Sequence, residues 1–213
     1  MSFPFGVVSS QVISGPPPSG TTIDFIGGSY VVDGVTVTAA DVVDHPELIT
    51  ANGLELIEDG DVVNILGDLL ALLLTANWTI VLEWNHLSAT GQLYPLVLTG
   101  AGGDNVVQIR RLGSSSHYLF VEDFGGAGYR GVADNFAFGN GIHKIALTRT
   151  NTKLVFSADG RAVATGDIDN FALSPTAAGF GGYPGWTISP TMFIRSLQIL
   201  DPVSDAELPT LSA

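Results

Sequence analysis

The sequence predicts an all-β protein in which two antiparallel sheets pack face to face as a jelly-roll-like sandwich. Three observations lead to this fold class. Segments with the period-2 alternation of strands recur at spacings of about 12 residues, with Gly-rich or Ser-rich turns between them. Gly accounts for 26 of the 213 residues, well above the average share of about 7%, which indicates many turns. Only 14% of the residues are charged whereas 46% are hydrophobic, so a large core is available.

The clearest strand prediction covers residues 142–167. Residues 142–149 alternate between two faces, and Lys153 to Ala158 form a second run. The dipeptide Asp159-Gly160 supplies the two positive-φ positions of a tight hairpin turn, after which Arg161 to Gly166 return antiparallel. This stretch therefore predicts a three-stranded meander.

Shorter strands and turns are predicted on either side of the meander. An Asp-Gly dipeptide at 33–34 and another at 59–60 predict two further hairpins, the second joining Leu54 to Ile57 with Val62 to Ile65. The glycines between 125 and 131 predict a loop at the sheet edge, and Trp78 to Trp84 predicts a central strand. The other predicted strands are Thr22 to Phe25, Tyr30 to Val32, Val35 to Thr38, Leu93 to Thr99, Val106 to Leu112, Tyr118 to Glu122 and Met192 to Leu200.

Two short helices complete the predicted domain. The first lies near 68–74, where Asp68 is the predicted N-cap of an unbroken leucine run. The second lies near 204–211, where Ser204 and Glu207 form a capping-box pattern. We thus expect one sandwich domain over residues 22–213.

Residues 1–21 form a separate N-terminal segment in this interpretation. Three consecutive prolines between Gly and Ser favour a stiff, extended arm, and an apolar tip on such an arm suits docking to a neighbouring protein. A disordered terminus is the alternative. The candidate assembly residues are Phe3, Phe5, Pro16, Pro17 and Pro18.

Charge and residue usage exclude several classes of function. Eight basic against 21 acidic residues give a formal charge of −13, so nucleic acid and anionic membranes are not expected partners. The same acidity also serves simply to keep a half-apolar surface soluble. The chain has no Cys, and residues 1–20 lack the pattern of a secretory signal. Polar residues spread through 62–84 argue against a membrane span, and membrane insertion is not expected.

No pattern of catalytic or cofactor-binding residues stands out. The four histidines are scattered, and neither a Gly-x-Ser-x-Gly elbow nor a phosphate-binding loop is present. Asp and Asn near glycines, at 104–105, 134–135 and 167–170, suit either calcium or ordinary turns, and the turn interpretation is favoured. We therefore predict no catalytic residues, no metal and no cofactor.

Sugar binding is the most specific chemistry that the residues suggest. A sugar site needs an aromatic platform beside polar side chains, and such residues lie in predicted loops. Packing of the same aromatics against the sheet edge is the alternative. The candidate carbohydrate-binding residues are Tyr129, Arg130, Tyr183 and Trp186.

Three stretches carry a resemblance to a known family. Residues 143–160, with a His-hydrophobic-Ala-Leu-Thr strand and an Asp-Gly turn, resemble the centre of laminin-G-like domains of the concanavalin A-like lectin/glucanase group. The last predicted strand with residues 204–208, and the opening Ile23-Asp24-Phe25 with Gly28-Ser29-Tyr30, are similar to such domains in virion proteins of tailed bacteriophages. The resemblance spans roughly residues 22 to 213 and rests on alternation.

The resemblance implies a function as well as a fold. Glucanases of this group carry Glu-x-Asp-x-x-Glu on one strand, and the segments at Glu55, Glu83 and Glu122 each lack part of it. A non-enzymatic virion structural protein, as decoration, fibre or tail component, is therefore the expected function. It implies other virion proteins as partners, homo-oligomerisation, and a place on the virion surface after synthesis in the host cytoplasm. A carbohydrate-binding module for a bacterial surface polysaccharide is the alternative, and a glycosidase is a third.

Overall fold

A computed structural model describes most of the chain beyond residue 19. It covers residues 20–27, 29–32, 35–56, 62–75, 77–87, 93–100, 106–112, 118–125, 128–134, 139–167, 175–181 and 191–213. Two antiparallel sheets pack face to face, with few short helices, which confirms the predicted all-β jelly-roll sandwich.

Sixteen strands and two α-helices follow one another in the described residues. The strands are β1 Gly20–Asp24, β2 Ser29–Val32, β3 Val35–Thr38, β4 Ile49–Thr50, β5 Gly53–Leu56, β6 Val63–Asn64, β7 Trp78–His86, β8 Leu93–Gly100, β9 Val106–Leu112, β10 Tyr118–Gly125, β11 Gly128–Asp134, β12 Gly141–Arg149, β13 Lys153–Ala158, β14 Ala164–Asp167, β15 Pro175–Phe180 and β16 Met192–Leu200. The helices are α1 Gly67–Leu73 and α2 Leu208–Leu211.

The strands divide into a ten-stranded and a six-stranded sheet. The larger sheet has the order β14-β13-β12-β7-β16-β1-β2-β3, with β5 paired to β16 and β4 paired to β5. The smaller sheet has the order β11-β10-β9-β8-β15-β6. The last strand of the chain thus lies in the middle of the larger sheet, between β7 and β1.

The core fills the space between the two sheets. Trp78, Ile80, Leu82 and Trp84 alternate into it from β7, as the sequence predicts for a central strand. Phe25 and Phe180 meet edge to face across the sandwich, with ring centroids 5.6 Å apart. Burying each Phe side chain stabilises the fold by about 1.5–3 kcal/mol.

The predicted meander is present as β12, β13 and β14. Asp159 and Gly160 both have positive φ, at 47° and 70°, and Arg161 N–H donates to the Ala158 carbonyl at 3.0 Å to close the turn. The third strand begins at Ala164 rather than Arg161. The hydroxyl of Ser157 donates to the Arg161 carbonyl at 2.6 Å. Arg161 is therefore hydrogen-bonded within the turn and not to the neighbouring strand.

The hairpin predicted around Asp59-Gly60 is wrong. Its first arm, β5, pairs with β4 and β16 in the larger sheet, whereas its second arm, β6, pairs with β15 in the smaller one. Asn64 in β6 also binds Asp44, through its backbone N–H at 2.8 Å and its side-chain amide at 2.6 Å. The two arms therefore lie in different sheets, and residues 57–61 between them lie outside the described residues.

Both predicted helices form, with different starts. Helix α1 begins at Gly67 after Leu66 as N-cap, so Asp68 lies in the first turn and is not the cap. Ser204 donates to the Glu207 carboxylate from its backbone N–H at 2.9 Å and its hydroxyl at 2.7 Å, but this contact closes a turn ahead of α2. Neither helix of the described residues combines the length and apolar character needed to span a membrane.

The C-terminal segment, residues 203–213, packs on the outer face of the ten-stranded sheet. Leu208 lies in an apolar cluster with Val81, Ala146 and Val155, which point away from the main core. Gly160 N–H donates to the carbonyl of Ser212 at 3.1 Å, which fastens the end of the segment to the hairpin turn. The chain therefore covers part of this face with its own residues.

We expect Gly53→Ala to lower the free energy of unfolding more than Gly67→Ala does. Gly53 has φ 122°, and a Cβ there would overlap the Ile194 carbonyl oxygen of β16. Gly67 also has positive φ, at 61°, but a Cβ there would meet no atom within 4 Å. Gly67→Ala, which serves as the control, should lower the free energy of unfolding by about 1–2 kcal/mol through its backbone conformation alone. Urea denaturation measures both losses, and equal losses would contradict the close-approach argument.

Candidate functional site

The candidate site lies on the outer face of the six-stranded sheet. In β9, Val107 and Ile109 belong to the core, so Gln108 and Arg110 face the opposite side of the sheet. In the neighbouring strand β8, Tyr94 and Val97 are buried although neither belongs to the core between the sheets. This outer face therefore combines apolar and hydrogen-bonding side chains on rigid strands.

One row of paired residues crosses the sheet at Gln108. Pairing positions share a face in an antiparallel sheet, so the row defines a platform. Gly179 in the row has no side chain, and a Cβ there would lie 2.9 Å from the Val63 carbonyl oxygen. From one edge to the other, the paired positions are Gly131, Glu122, Gln108, Val97, Gly179 and Asn64.

Among the side chains of this row that the structure describes, Gln108 has unused hydrogen-bonding capacity. It is 6% exposed, and among the described residues its amide oxygen Oε1 has no hydrogen-bond partner. Leaving such a buried acceptor unsatisfied costs about 1–3 kcal/mol. A ligand that brings a hydroxyl donor to this oxygen would recover part of that free energy.

Arg110 complements Gln108 on the same face. It lies two residues further along β9 and is half-buried. Its guanidinium group offers only donors, whereas the Gln108 amide oxygen is an acceptor. The backbone positions of the two residues lie roughly 7 Å apart along the strand, from the rise of 3.2–3.4 Å per residue. The pair can thus engage groups that both donate and accept, as sugar hydroxyls do.

Two of the four predicted sugar-binding residues belong to this sheet. Tyr129 and Arg130 lie on the edge strand β11, where they pair with Phe124 and Asp123 of β10. The loop predicted for residues 125–131 is wrong, because Gly125 ends β10 and Gly128 already begins β11. Glycine weakens a strand interior, but here it does not prevent the pairing of β11 with β10, which runs from Gly128 to Asp134.

The remaining predicted residues lie outside the part that the structure describes. These residues are the sugar-binding candidates Tyr183 and Trp186, and the assembly candidates Phe3, Phe5, Pro16, Pro17 and Pro18. Their predicted roles stay predictions, as does the division of the chain into an arm and a sandwich domain.

The structure brings together two histidines that are far apart in the sequence. The rings of His86 and His143 stack with centroids 5.2 Å apart. Nδ1 of His143 contacts the Asp159 carboxylate at 2.8 Å, and Nε2 contacts the Gly139 carbonyl oxygen at 2.8 Å. Since both ring nitrogens already face acceptors, His143 is not placed to act as a general base in this arrangement.

The partner carboxylate of His143 has a perturbed pKa. Burial raises the pKa of Asp159, but hydrogen bonds from His143 and from the Lys144 backbone N–H lower this pKa by a larger amount. The pKa of Asp159 therefore lies below the ordinary value of an aspartate. Asp159 also occupies the first of the two positive-φ positions of the hairpin turn. The contact thus joins the turn to the strand β12.

The carboxylates considered for glycoside hydrolysis are not assembled for it. Glu83 accepts a 2.6 Å hydrogen bond from Arg195 Nε on the outer face of the larger sheet. Glu55 lies in β5, and Glu122 in β10 of the other sheet. Within the described ranges no group of three or more His, Cys, Asp and Glu residues could hold a metal ion.

Comparisons with known proteins identify structural neighbours. No protein-family model matches the chain, and no curated protein matches it. Domain 4 of AbnA, an extracellular GH43 arabinanase from Geobacillus stearothermophilus, in complex with arabinotriose, matches with a TM-score of 0.61 at 9% identity, over 91% of this chain and 97% of that chain.

Two further neighbours are also domains of larger proteins. The binding domain of botulinum neurotoxin DC, in complex with SialylT, has a TM-score of 0.54 at 12% identity, over 74% of this chain and 40% of that chain. The CBM40 of the Ruminococcus gnavus IT-sialidase has a TM-score of 0.52 at 18% identity, over 67% and 86%. At these identities the likeness establishes a shared β-sandwich fold.

We expect Asp159→Asn to lower the free energy of unfolding at neutral pH. Asn tolerates positive φ, so the turn is kept while the charge is lost. Because the folded pKa lies below the unfolded value of about 3.9, the aspartate stabilises the fold above that pH, and this contribution disappears as pH falls through the folded pKa. Urea denaturation of both proteins from pH 7 to pH 2.5 measures the difference. A difference that does not shrink in acid would contradict the role of the carboxylate charge.

Proposed function

We propose that this chain is a carbohydrate-binding module that engages a polysaccharide through the outer face of its six-stranded sheet. The observation that carries the proposal is the buried Gln108 amide oxygen, which faces outward beside Arg110 and has no partner among the described residues. A sugar hydroxyl supplies the donor that this oxygen lacks and can accept from a guanidinium N–H. The polysaccharide of a bacterial surface is the proposed ligand class.

The structural neighbours support this proposal because two of them have structures in complex with saccharides. The AbnA domain is in complex with arabinotriose, and the CBM40 of the R. gnavus IT-sialidase has a structure bound to α2,3 sialyllactose. Both are sandwiches like this one. Which sugar this chain prefers depends on its own side chains, because a shared fold does not transfer specificity.

The proposed module acts by binding and does not catalyse a reaction. Support comes from the groups that a hydrolase would need. His143 has acceptors at both ring nitrogens, and Glu83 is paired with Arg195. The third hypothesis from the sequence, a glycosidase, gains no support from these contacts.

The virion role inferred from the sequence stays a prediction. None of the neighbours named above is a bacteriophage protein. A module on the surface of a particle would present its binding face many times, so virion attachment, homo-oligomerisation and sugar binding are compatible. The N-terminal residues 1–21 remain the proposed means of attachment.

We expect Gln108→Leu to weaken glycan binding without destabilising the fold. Leu has a similar size but no acceptor, so the variant loses the contact to the ligand and also the unsatisfied oxygen. A glycan array finds the ligand, and calorimetry should then give a dissociation constant at least about tenfold higher for the variant, or about 1.4 kcal/mol. Its free energy of unfolding should be equal to or above that of the parent protein.

The matched control is Gln198→Leu, the same exchange on β16 of the other sheet. It should bind as the parent protein does. Unchanged affinity in Gln108→Leu, or an array with no bound glycan, would contradict the proposal.

The two aromatic candidates give a separate prediction. We expect Trp186→Ala or Tyr183→Ala to lower the affinity for the same glycan if these residues supply the aromatic platform, since stacking contributes about 0.5–1.5 kcal/mol beyond area burial. Calorimetry with the array ligand measures the loss. Unchanged affinity in both variants would remove these residues from the site and leave Gln108 untouched.

A further inference from the structure

A cleft lies at one end of the sandwich, away from the proposed binding face. It is bounded by the end of α1, the starts of β1 and β7, and the end of β16, and we refer to it as the end cleft. Its volume is about 420 Å³, within the range of about 300–1,000 Å³ typical of small-molecule sites. It is lined by Gly20, Thr21, Leu72, Thr75, Asn77, Trp78, Ile199, Leu200 and Asp201.

The walls of the end cleft are held by hydrogen bonds. Trp78 Nε1–H donates to the Leu73 carbonyl at 3.2 Å, which ties α1 to β7. The Thr75 hydroxyl donates to the Leu72 carbonyl at 2.8 Å and closes the end of the helix. At Gly20 a Cβ would overlap the Ile199 carbonyl oxygen, so the absence of a side chain lets β1 run close to β16. The cleft is thus preformed, which keeps the entropic cost of ligand binding low.

Two polar side chains in the end cleft have hydrogen-bonding groups to spare. Asn77 is an exposed residue, and Thr21, which pairs with Ile199 of β16, is largely buried. Within the described part of the chain, neither makes a side-chain hydrogen bond. Together they offer donors and acceptors from two strands.

The remaining lining residues set the kind of ligand. None of the nine described lining residues is a Lys or an Arg, so this lining offers no positive side chain to an anionic ligand. Leu72 is 39% exposed and presents an apolar surface. A sugar ring has an apolar face and hydroxyl edges, and a neutral sugar fits this combination of one apolar wall and several hydrogen-bonding groups.

We propose that the end cleft is a second saccharide site, which binds one neutral sugar unit. The ring lies against Leu72, and its hydroxyls bind the Asn77 amide and the Thr21 hydroxyl. This site shares no residue with the outer face of the six-stranded sheet. A chain with two such sites can hold one polysaccharide at two points, which raises its effective affinity without new contacts at either site.

The test uses the full chain and neutral methyl glycosides of glucose, galactose, mannose and arabinose as probes. Each glycoside is titrated into ¹⁵N-labelled protein while backbone amide shifts are recorded. We expect at least one glycoside to cause saturable shifts at Thr21, Asn77 and Asp201. Asn77→Ala and Thr21→Val should each raise its dissociation constant about tenfold, because each removes a hydrogen-bonding group from the site.

Two controls separate this proposal from the proposed function. Asn52→Ala removes the same amide at an exposed turn and should leave the shifts unchanged. Gln108→Leu should also leave them unchanged, even if it abolishes binding at the sheet face. The proposal is overturned if no glycoside shifts these amides, if Asn77→Ala and Thr21→Val bind normally, or if Gln108→Leu removes the shifts.

Discussion

The bulge in β16 is the local feature on which the ten-stranded sheet depends. The register shifts between Ile194 and Ser196, which adds one residue to the strand. Because side chains alternate, this extra residue lets Met192 and Ile194 face the core before the bulge, and Leu197 and Ile199 face it afterwards. The inserted Arg195 makes two contacts. Its carbonyl accepts a hydrogen bond from Phe25 N–H at 2.9 Å, and its guanidinium group binds the Glu83 carboxylate. The bulge thus keeps the core continuous where β16 changes from pairing with β5 to pairing with β1.

How much of the fold the sequence predicts depends on how local its signals are. The meander is predicted well because alternation and the Asp159-Gly160 turn act between neighbouring strands, and even the positive φ values agree. The segment around 54–65 contains the same kind of turn signal, yet its two arms join different sheets. Both sheets offer the same kind of apolar face, so the pattern in Val63 alone does not indicate which sheet it joins. That choice is made by distant partners such as Asp44 and Gly179.

The candidate site shows a different limit. The rule that sugar sites contain exposed aromatics in loops selects Tyr129 and Trp186, and it overlooks Gln108 and Arg110 because polar residues that alternate with Val107 and Ile109 are ordinary for a strand with one outer face. The distinguishing property of Gln108 is burial without a partner, which depends on the fold and not on the local pattern. The contact between His86 and His143 cannot be predicted from the sequence for the same reason, since the pairing of β7 with β12 brings the two rings together.

The position of the C-terminal segment explains why the smaller sheet, and not the larger one, carries the proposed binding face. A two-sheet sandwich has two outer faces, and here one of them is partly occupied by Leu208 and its neighbours, packed on Val81 and Ala146. Lys153 of β13 also pairs with Asp205 of this segment, which adds a charged contact beside the apolar one. A ligand would have to displace these contacts to lie on the larger sheet. On the smaller sheet a ligand that supplies a hydrogen-bond donor would instead satisfy the buried amide oxygen of Gln108.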